Sequence, residues 1–279
     1  ADLFYQPQYN NRVIDDPCPE RRYAAEINYS RTGETLTLRF SAYLLAMFDG
    51  VETRRYYDDM AGVFCDMAAT RIGRMACGVE AAADLRLAYR WSLSLAASGG
   101  RYKYIRNPRV TVISDVDNSA VDTRAESHMG GCTLGAAPQL TACAELSYFG
   151  PRGWGFRASA GYAGLRYVEP VPLRRTARIA RQGGITREMF DAFTHQERLG
   201  DAFTFDASLF KSFYFGRSRL TASLMLRNLL GDADTVYSGY ESLRVRRIRS
   251  GDALYFAPHA TRYTYAYPRS FYLTISYKF

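Results

Sequence analysis

Apolar and polar residues alternate along the last nine positions of the chain. A strand there would place polar side chains on one face and, on the other, Phe271, Leu273, Ile275, Tyr277 and Phe279. The sequence therefore closes on an aromatic residue with no polar tail. Such an ending suits the aromatic girdle of an outer-membrane barrel better than it suits water, so we assign Phe279 to a membrane interface.

The same two-residue period recurs upstream and predicts nine strands in all. We place them at residues 23–31, 36–48, 71–87, 91–98, 140–148, 154–162, 202–215, 220–228 and 271–279. The third strand is ambiguous, because Met75, Val79, Ala82 and Leu85 also fit helical spacing around an alanine-rich centre. Its neighbours favour a strand. Residues 1–22, which contain three prolines, are expected to be an irregular leading segment.

The connections between the predicted strands alternate in length. Short turns fall near residues 33, 88, 151 and 217, and long loops fall near residues 60, 120, 185 and 250. Large aromatics of the apolar faces gather beside the short turns, at Trp91, Tyr148, Trp154, Phe213 and Phe215. Both features are typical of transmembrane barrels. The pattern predicts an all-β fold: a partial, antiparallel up-and-down transmembrane β-barrel of about nine strands.

Two further details refine this prediction. In the loop near residue 185, Met189, Phe190 and Phe193 recur at helical spacing and predict a short helix within residues 186–199. Lys211 interrupts an apolar strand face near a turn, where its long stem would let the ammonium group reach the lipid headgroups.

The net charge of +8 would suit a nucleic-acid partner if the basic residues formed one patch. The arginines are instead scattered over turns, loops and polar strand faces, so we predict no nucleic-acid binding. The same excess could face lipopolysaccharide phosphates or an anionic ligand. No run of 18 apolar residues predicts a transmembrane helix, and no signal-peptide pattern opens the sequence.

Three stretches near the C-terminus are specific enough to compare with a known family. They are residues 226–232 (LRNLLGD), 237–241 (YSGYE) and 263–271 (YTYAYPRSF). Together with the closing strand, they resemble the C-terminal end of TonB-dependent outer-membrane receptors, in the branch that includes SusC-like nutrient importers. The resemblance continues more faintly upstream to about Glu20.

This resemblance implies a barrel of roughly 22 strands around a plug domain, so we expect residues 1–279 to form only the C-terminal part of the wall, without the plug. It also implies TonB-energised uptake of a scarce large nutrient, such as an iron chelate, a cobalamin or an oligosaccharide, at the Gram-negative outer membrane. The implied partners are outer-membrane lipid and lipopolysaccharide, the TonB system acting through the plug, the barrel-assembly machinery and a surface lipoprotein. The closing strand would be the assembly signal.

Charged residues on the polar strand faces are the candidate lumen or solute contacts. They are Arg39, Arg74, Glu80, Glu145, Arg157 and Asp206. Mutually compensating charges that fill the interior are the alternative explanation. In the last long loop, a second group could bind an anionic solute or lipopolysaccharide, or could simply form a solvated face: Arg244, Arg246, Arg247 and Arg249.

No catalytic or metal-binding pattern is apparent. The acidic stretch at residues 115–126 lacks the glycine and the flanking helices of a calcium loop, and the three histidines accompany no nucleophile motif. The five cysteines form no Cys-x-x-Cys pair, although an oxidising compartment would permit a disulfide between Cys18 and Cys65. We predict no enzymatic activity and no cofactor.

Two other interpretations stay open. The chain could be a complete small outer-membrane barrel that acts as a passive pore or a surface adhesin, although an odd number of strands argues against this. A soluble all-β binding module is the other alternative.

Overall fold

The computed structural model describes residues 3–8, 10–15, 17–181, 186–231, 234–251 and 253–279. Within these ranges there are two short α-helices, α1 (Ala177–Ala180) and α2 (Arg187–Thr194). The strands in chain order are β1 (Phe4–Gln6), β2 (Asn10–Val13), β3 (Arg21–Thr32), β4 (Leu36–Asp58), β5 (Val63–Ala88), β6 (Trp91–Tyr104), β7 (Arg109–Ser114), β8 (Ala120–Glu126), β9 (Leu140–Phe149), β10 (Trp154–Gly164), β11 (Arg166–Tyr167), β12 (Arg198–Leu199), β13 (Ala202–Phe215), β14 (Ser218–Arg227), β15 (Val236–Tyr240), β16 (Val245–Ser250), β17 (Ala253–Pro258), β18 (Arg262–Tyr265) and β19 (Ser270–Lys278).

One large sheet organises the molecule. Nine of its strands lie in the order β3, β4, β5, β6, β9, β10, β13, β14 and β19, and each pairs antiparallel with the next. These are the nine strands that the alternation predicts, so the antiparallel up-and-down fold is confirmed. Among the described residues, β3 and β19 each have a neighbour in this sheet on one side only.

The register gives the sheet two chemically different faces. The apolar face carries side chains such as Ile27, Phe40 and Leu273, and several of them are more than half exposed, with Ile275 at 66%. The polar face carries cross-strand pairs such as Thr221 with Ser276. A continuous exposed apolar face of this size is uncommon on soluble monomers and marks a surface that contacts another apolar surface or medium.

The alanine-rich third strand is extended and not helical. Each of the residues from Glu80 to Ala83 is paired with β4 on one side and with β6 on the other. Helix propensity is a weak preference of a fraction of a kcal/mol per residue, so the hydrogen-bond ladders of two neighbouring strands override it. The helical alternative for residues 71–87 is therefore wrong.

The prediction of a loop from Asp49 to about Thr70 is also wrong. β4 and β5 continue as a paired hairpin beyond the other seven strands of the antiparallel wall and turn only at residues 59–62. Register shifts between Met47 and Glu52, with Asp49 and Arg71 at positive φ, mark the place where this extension begins. At the tip, the Asp58 carboxylate accepts hydrogen bonds from the backbone amides of Met60 and Ala61.

The other long connections contain local structure as well. The leading segment is not wholly irregular, because β1 and β2 pair within it. The β7–β8 hairpin pairs with the outer half of β5, and the final connection holds the ladders β15–β18 and β16–β17. The predicted helix is confirmed as α2. It begins after Thr186, whose side chain accepts a hydrogen bond from the Met189 amide, and α2 ends at Thr194.

A packed core lies at the end of the sheet that carries the long loops, which we call the long-loop end. Its largest cluster combines the β4–β5 extension, the β7 strand and the loop after β11, through residues that include Tyr56, Met67, Ala69, Val112, Val171 and Leu173. Smaller clusters lie beneath the β1–β2 hairpin and beneath α2. In the part of the chain that the structure describes, no helix has the length and apolar character needed to cross a membrane.

Candidate functional site

The polar face of the sheet holds most of the charged residues predicted to line a lumen. Arg39 lies 3.6 Å from Asp84, and Arg157 lies 3.6 Å from Glu145. Asp206 accepts a hydrogen bond from the Asn228 amide at 2.8 Å. The two ion pairs are exposed, so each contributes little to stability. Their contact with a solute stays a prediction.

A recess of about 620 Å³ lies on this face between β3 and β9. Glu26, Arg39 and Glu80 line it together with hydroxyl side chains such as Ser98 and Thr141. Deeper along the same face, the hydroxyl groups of Tyr43 and Tyr102 are 2.5 Å apart. The wall therefore offers mixed charges and hydroxyl groups rather than one continuous apolar surface.

Arg74 differs from the other predicted lumen residues, because it is part of a half-buried network at the long-loop end. Its guanidinium contacts Glu52 and stacks on the Tyr104 ring at 5.3 Å. The Tyr104 hydroxyl donates to Glu169 at 2.6 Å, and the Gly135 amide donates to the same carboxylate at 2.5 Å. No local pattern in the sequence predicts this network, since Glu169 is 65 residues from Tyr104 along the chain.

Burial governs the protonation of this network. Desolvation raises the pKa of Glu169 above its ordinary value, and the hydrogen bonds from Tyr104 and Gly135 oppose this only in part. Desolvation also raises the pKa of Tyr104, and the charge of Glu169 raises it further. The Tyr104 hydroxyl therefore stays a proton donor, and it orients the carboxylate of Glu169.

Glu169 belongs to a segment that covers the polar face at the long-loop end. We call residues 168–181 the covering loop. Val171 and Leu173 of this loop pack against Met67 and Tyr104, and the Ser127 hydroxyl donates to the Pro172 carbonyl at 2.6 Å. The loop is therefore anchored by both apolar and polar contacts.

An ion pair between Arg175 and Glu241 holds the covering loop to the final connection. Its hydrogen bonds are 2.6 and 2.7 Å long, and the two side chains are 1% and 4% exposed. The Val171 amide donates to Glu241, and Arg175 donates to the Thr194 carbonyl. Burial alone would lower the pKa of Arg175, but the bonds to Glu241 outweigh it and the pKa is raised.

The tip of the β4–β5 extension makes a second set of ion pairs. Arg178 of α1 contacts Asp58, which also accepts from the Tyr56 hydroxyl at 2.9 Å. Arg244 binds Asp59 through two nitrogens, at 2.6 and 3.1 Å. Of the four loop arginines predicted to contact a ligand, Arg244 is thus engaged within the protein, and three lie exposed on β16: Arg246, Arg247 and Arg249.

The aromatic residues predicted as a girdle lie together at the opposite end, which we call the short-turn end. The rings of Trp91 and Tyr148 are 4.7 Å apart on neighbouring strands. The Lys211 ammonium lies 4.8 Å from Trp154 and 5.5 Å from Phe213, and it donates to the Arg152 carbonyl at 2.6 Å. Phe215 closes the same strand. The ammonium thus reaches a polar partner beside the turn, as a snorkelling lysine does.

The closing strand reaches the same end of the sheet. Lys278 is paired with Arg219, beside the short turn between β13 and β14. The rings of Tyr277 and Phe279 are 6.2 Å apart, and Phe279 is 94% exposed. The alternate residues Phe271, Leu273 and Ile275 lie on the apolar face. Their action as an assembly signal stays a prediction.

A second aromatic band, which the sequence analysis missed, lies toward the long-loop end of the apolar face. Tyr23 and Phe48 have ring centroids 6.0 Å apart, and those of Tyr162 and Phe203 are 5.0 Å apart. The sequence does contain a sign of this band, because aromatic residues occur at the long-loop ends of several predicted strands. Aromatic side chains therefore lie at both ends of the apolar face, an arrangement that is typical of transmembrane barrels.

The structure holds Cys18 and Cys65 as free thiols, so the disulfide that the sequence left open is not formed. Cys65 is fully buried, and desolvation raises its pKa to about 11. The acidic stretch near residue 117 forms an ordinary turn, in which Asp117 accepts from Ser119. Within the described ranges, no group of three or more potential ligands could hold a metal ion.

Comparison with protein-family models found no match, and comparison with curated proteins found none either. Solved structures do match. The copper transporter OprC superimposes with a TM-score of 0.51 at 16% identity, over 94% of this chain and 32% of that one. This likeness shows the fold. The chain spans about a third of the length of OprC.

A second match is the FpvAI–pyocin S2 complex, with a TM-score of 0.43 at 12% identity, over 92% of this chain and 26% of the other.

Proposed function

We propose that this chain forms part of the barrel wall of a TonB-dependent outer-membrane receptor. The observation that carries the proposal is the nine-stranded antiparallel sheet with one exposed apolar face between two aromatic bands. Its short turns lie at one end and its packed loops at the other. The resemblance of residues 226–232, 237–241 and 263–271 to the C-terminal end of these receptors supports the same assignment.

The open edges of the sheet support a larger barrel. β3 and β19 each expose one side of their backbone ladder, and an unpaired edge cannot lie in hydrocarbon, because its amide and carbonyl groups would lack partners. Further strands are therefore needed on both sides, which agrees with a receptor of roughly 22 strands. A complete nine-stranded barrel would require β3 and β19 to pair with each other, and in the part of the chain that the structure describes they do not.

In this proposal the polar face lines the receptor interior, and the covering loop lies on the external side. A scarce large solute, such as an iron chelate, a cobalamin or an oligosaccharide, binds above the covering loop. The TonB system then acts through a plug domain to open the interior. OprC is named for copper, but 16% identity carries no cargo to this chain. Lipopolysaccharide, the barrel-assembly machinery and, for the SusC-like branch, a surface lipoprotein are the further proposed partners.

The test combines location and energy dependence. The protein should sediment with outer membranes, and a deletion strain should grow poorly on one scarce iron, vitamin or glycan source. Uptake of that source should stop when TonB is removed. Passage that continues without TonB would instead support the passive pore, and recovery of the protein in the aqueous fraction would support the soluble module.

A further inference from the structure

The long hairpin of the final connection is interrupted in its middle. One ladder pairs β15 with β18, and the other pairs β16 with β17. Between the two ladders, residues 241–244 on one side and 259–261 on the other belong to no strand. We call this interval the hairpin break. Its backbone groups need partners other than those of a regular ladder.

The side chain of Arg174, from the covering loop, fills the hairpin break. Its Nε donates to the Ser242 carbonyl at 2.8 Å, and its Nη2 donates to the His259 carbonyl at 2.9 Å. The guanidinium therefore connects the two sides of the break. Arg174 is 5% exposed. Among the described residues its Nη1 has no hydrogen-bond partner, so a buried cation keeps one donor nitrogen unused.

No carboxylate forms a hydrogen bond with Arg174 in the part of the chain that the structure describes. Glu241 also lies in the break, but both of its oxygens accept from Arg175. Burial lowers the pKa of Arg174; the charge of Glu241 opposes this, and the charge of Arg175 adds to it. A buried cation whose acceptors are carbonyl groups keeps an unfavourable desolvation cost until an anion approaches it.

Further cations lie around the same break. Burial lowers the pKa of the His259 imidazole, and nearby positive charge lowers it further. The sources of that charge are Arg244, Arg246 and Arg262, whereas Asp59 opposes them. Arg244 already binds Asp59 through two nitrogens. Arg246 and Arg262 are exposed, and neither forms an ion pair with a described residue.

The carboxylates near the break do not balance these cations. Glu197 accepts from the Thr261 hydroxyl at 2.9 Å and from the Tyr263 hydroxyl at 2.5 Å. Glu169 accepts from the Glu241 amide through its backbone, but its carboxylate is bonded to Tyr104 instead. Among the described residues in or beside the break, arginines therefore outnumber carboxylates: Arg174, Arg175, Arg244, Arg246 and Arg262 against Asp59, Glu197 and Glu241.

We propose that Arg174, Arg246 and Arg262 bind an anionic oxygen group, a carboxylate or a phosphate, of the transported solute. Guanidinium groups donate paired hydrogen bonds to such groups. Arg174 belongs to the covering loop, which lies over the polar face, so a solute is favoured over a lipid as the source of the anion.

The site would select an anionic chelate over a neutral oligosaccharide. Assignment of the anion to a transported solute rests on the proposed function. Binding of an anion at the hairpin break does not.

Isothermal titration calorimetry of the protein in nonionic detergent micelles tests the site. The probes are citrate, inorganic phosphate and the neutral trisaccharide maltotriose. The test variant R246Q/R262Q removes two exposed arginines beside the break, and R174Q removes the buried one. The control variant R217Q/R219Q removes two exposed arginines at the short-turn end and has the same net charge as R246Q/R262Q. The heat-induced shift on electrophoresis shows whether each variant is folded.

We expect citrate, phosphate or both to bind the unaltered protein and R217Q/R219Q equally well. Binding to R246Q/R262Q should be about tenfold weaker or more, because the loss of one hydrogen bond to a charged group corresponds to about that factor. Folded R174Q should show a similar loss. Any affinity for maltotriose should be the same in all four proteins.

Several results would overturn the proposal. These are binding of neither anion by the unaltered protein, equal affinities in R246Q/R262Q and R217Q/R219Q, and a loss of maltotriose binding that parallels the loss of anion binding. If R174Q does not fold, the comparison of the two double variants still decides. Binding of a phosphorylated lipid in the micelle, without binding of citrate or phosphate, would contradict the assignment to a solute.

Failure of the proposed function is measured separately. A protein absent from outer membranes, but selective for anions through Arg246 and Arg262 in micelles, would contradict the receptor proposal while supporting the anion site. TonB-dependent uptake that R246Q/R262Q leaves unchanged, in a protein that binds neither anion, would do the reverse.

Discussion

The ion pair between Arg175 and Glu241 should control whether the covering loop stays closed. Replacing Arg175 by Met removes both hydrogen bonds to Glu241 and leaves a carboxylate that is 4% exposed without the guanidinium that it pairs with. Breaking a buried pair in this way costs about 3–5 kcal/mol. Since about 1.4 kcal/mol is a factor of ten, the open population of the loop should rise by roughly 150-fold to several-thousand-fold.

Limited proteolysis of the refolded protein measures this change. Proteinase K suits the experiment because its cleavage does not depend on the substituted arginine. When opening is fast relative to cleavage, the cleavage rate follows the open population. The covering loop should therefore be cut much faster in R175M, whereas the heat-induced shift of the barrel on electrophoresis should stay close to that of the unaltered protein.

Two comparisons isolate the cause. R175M/E241L removes both charges, so it should recover most of the resistance to cleavage, because no unpaired carboxylate remains buried. R39M breaks an exposed pair of 3.6 Å, whose contribution is about 0–1 kcal/mol, and should change cleavage little. Cleavage of R175M at the rate of R39M, or a double variant as labile as R175M, would refute the reasoning.

Three further predictions concern assembly, the membrane interface and acid stability. Deleting Phe279 should lower the amount of protein in outer membranes. The unfolding temperature of the protein that does assemble should not change, because Phe279 is 94% exposed. A lower unfolding temperature would assign Phe279 a structural role instead. K211A should destabilise the protein by about 0.5–1 kcal/mol through loss of its ring contacts, measured by heat modifiability, and K211R should restore most of this. Burial pushes the pKa of Asp58 up, but Arg178 and the tip amides outweigh it and lower the pKa below 3.8. The folded state then binds this proton less readily than the unfolded chain, so stability should fall as the pH drops from about 4 through the lowered pKa. D58N should remove that part of the pH dependence. Equal dependence of stability on acid pH in D58N and the unaltered protein would contradict this prediction.

The two-residue alternation of apolar and polar side chains was enough to predict the nine-stranded wall of the molecule. In a strand, alternate residues face opposite sides whatever the rest of the chain does, so the stretch from Phe271 to Phe279 reveals its apolar face locally. The same argument located all nine strands of the wall. It also located the aromatic cluster around Trp91 and Trp154, because the ends of strands and the short turns are visible in the sequence.

Tertiary structure alone decided the long-loop end. Residues 49–70 mix charged and apolar side chains without a clean period. Both faces of this segment are buried: Met67 packs in a cluster with a loop about a hundred residues later in the chain, and the neighbouring Asp66 is buried on the opposite face. Arg175 and Glu241 are 66 residues apart, and no local pattern predicts such a pairing. The strands of the wall can be predicted because every outward side chain meets the same kind of surroundings, so one local rule applies to all of them. The core at the long-loop end depends on contacts between residues far apart in the chain, and these contacts exist only once the chain has folded.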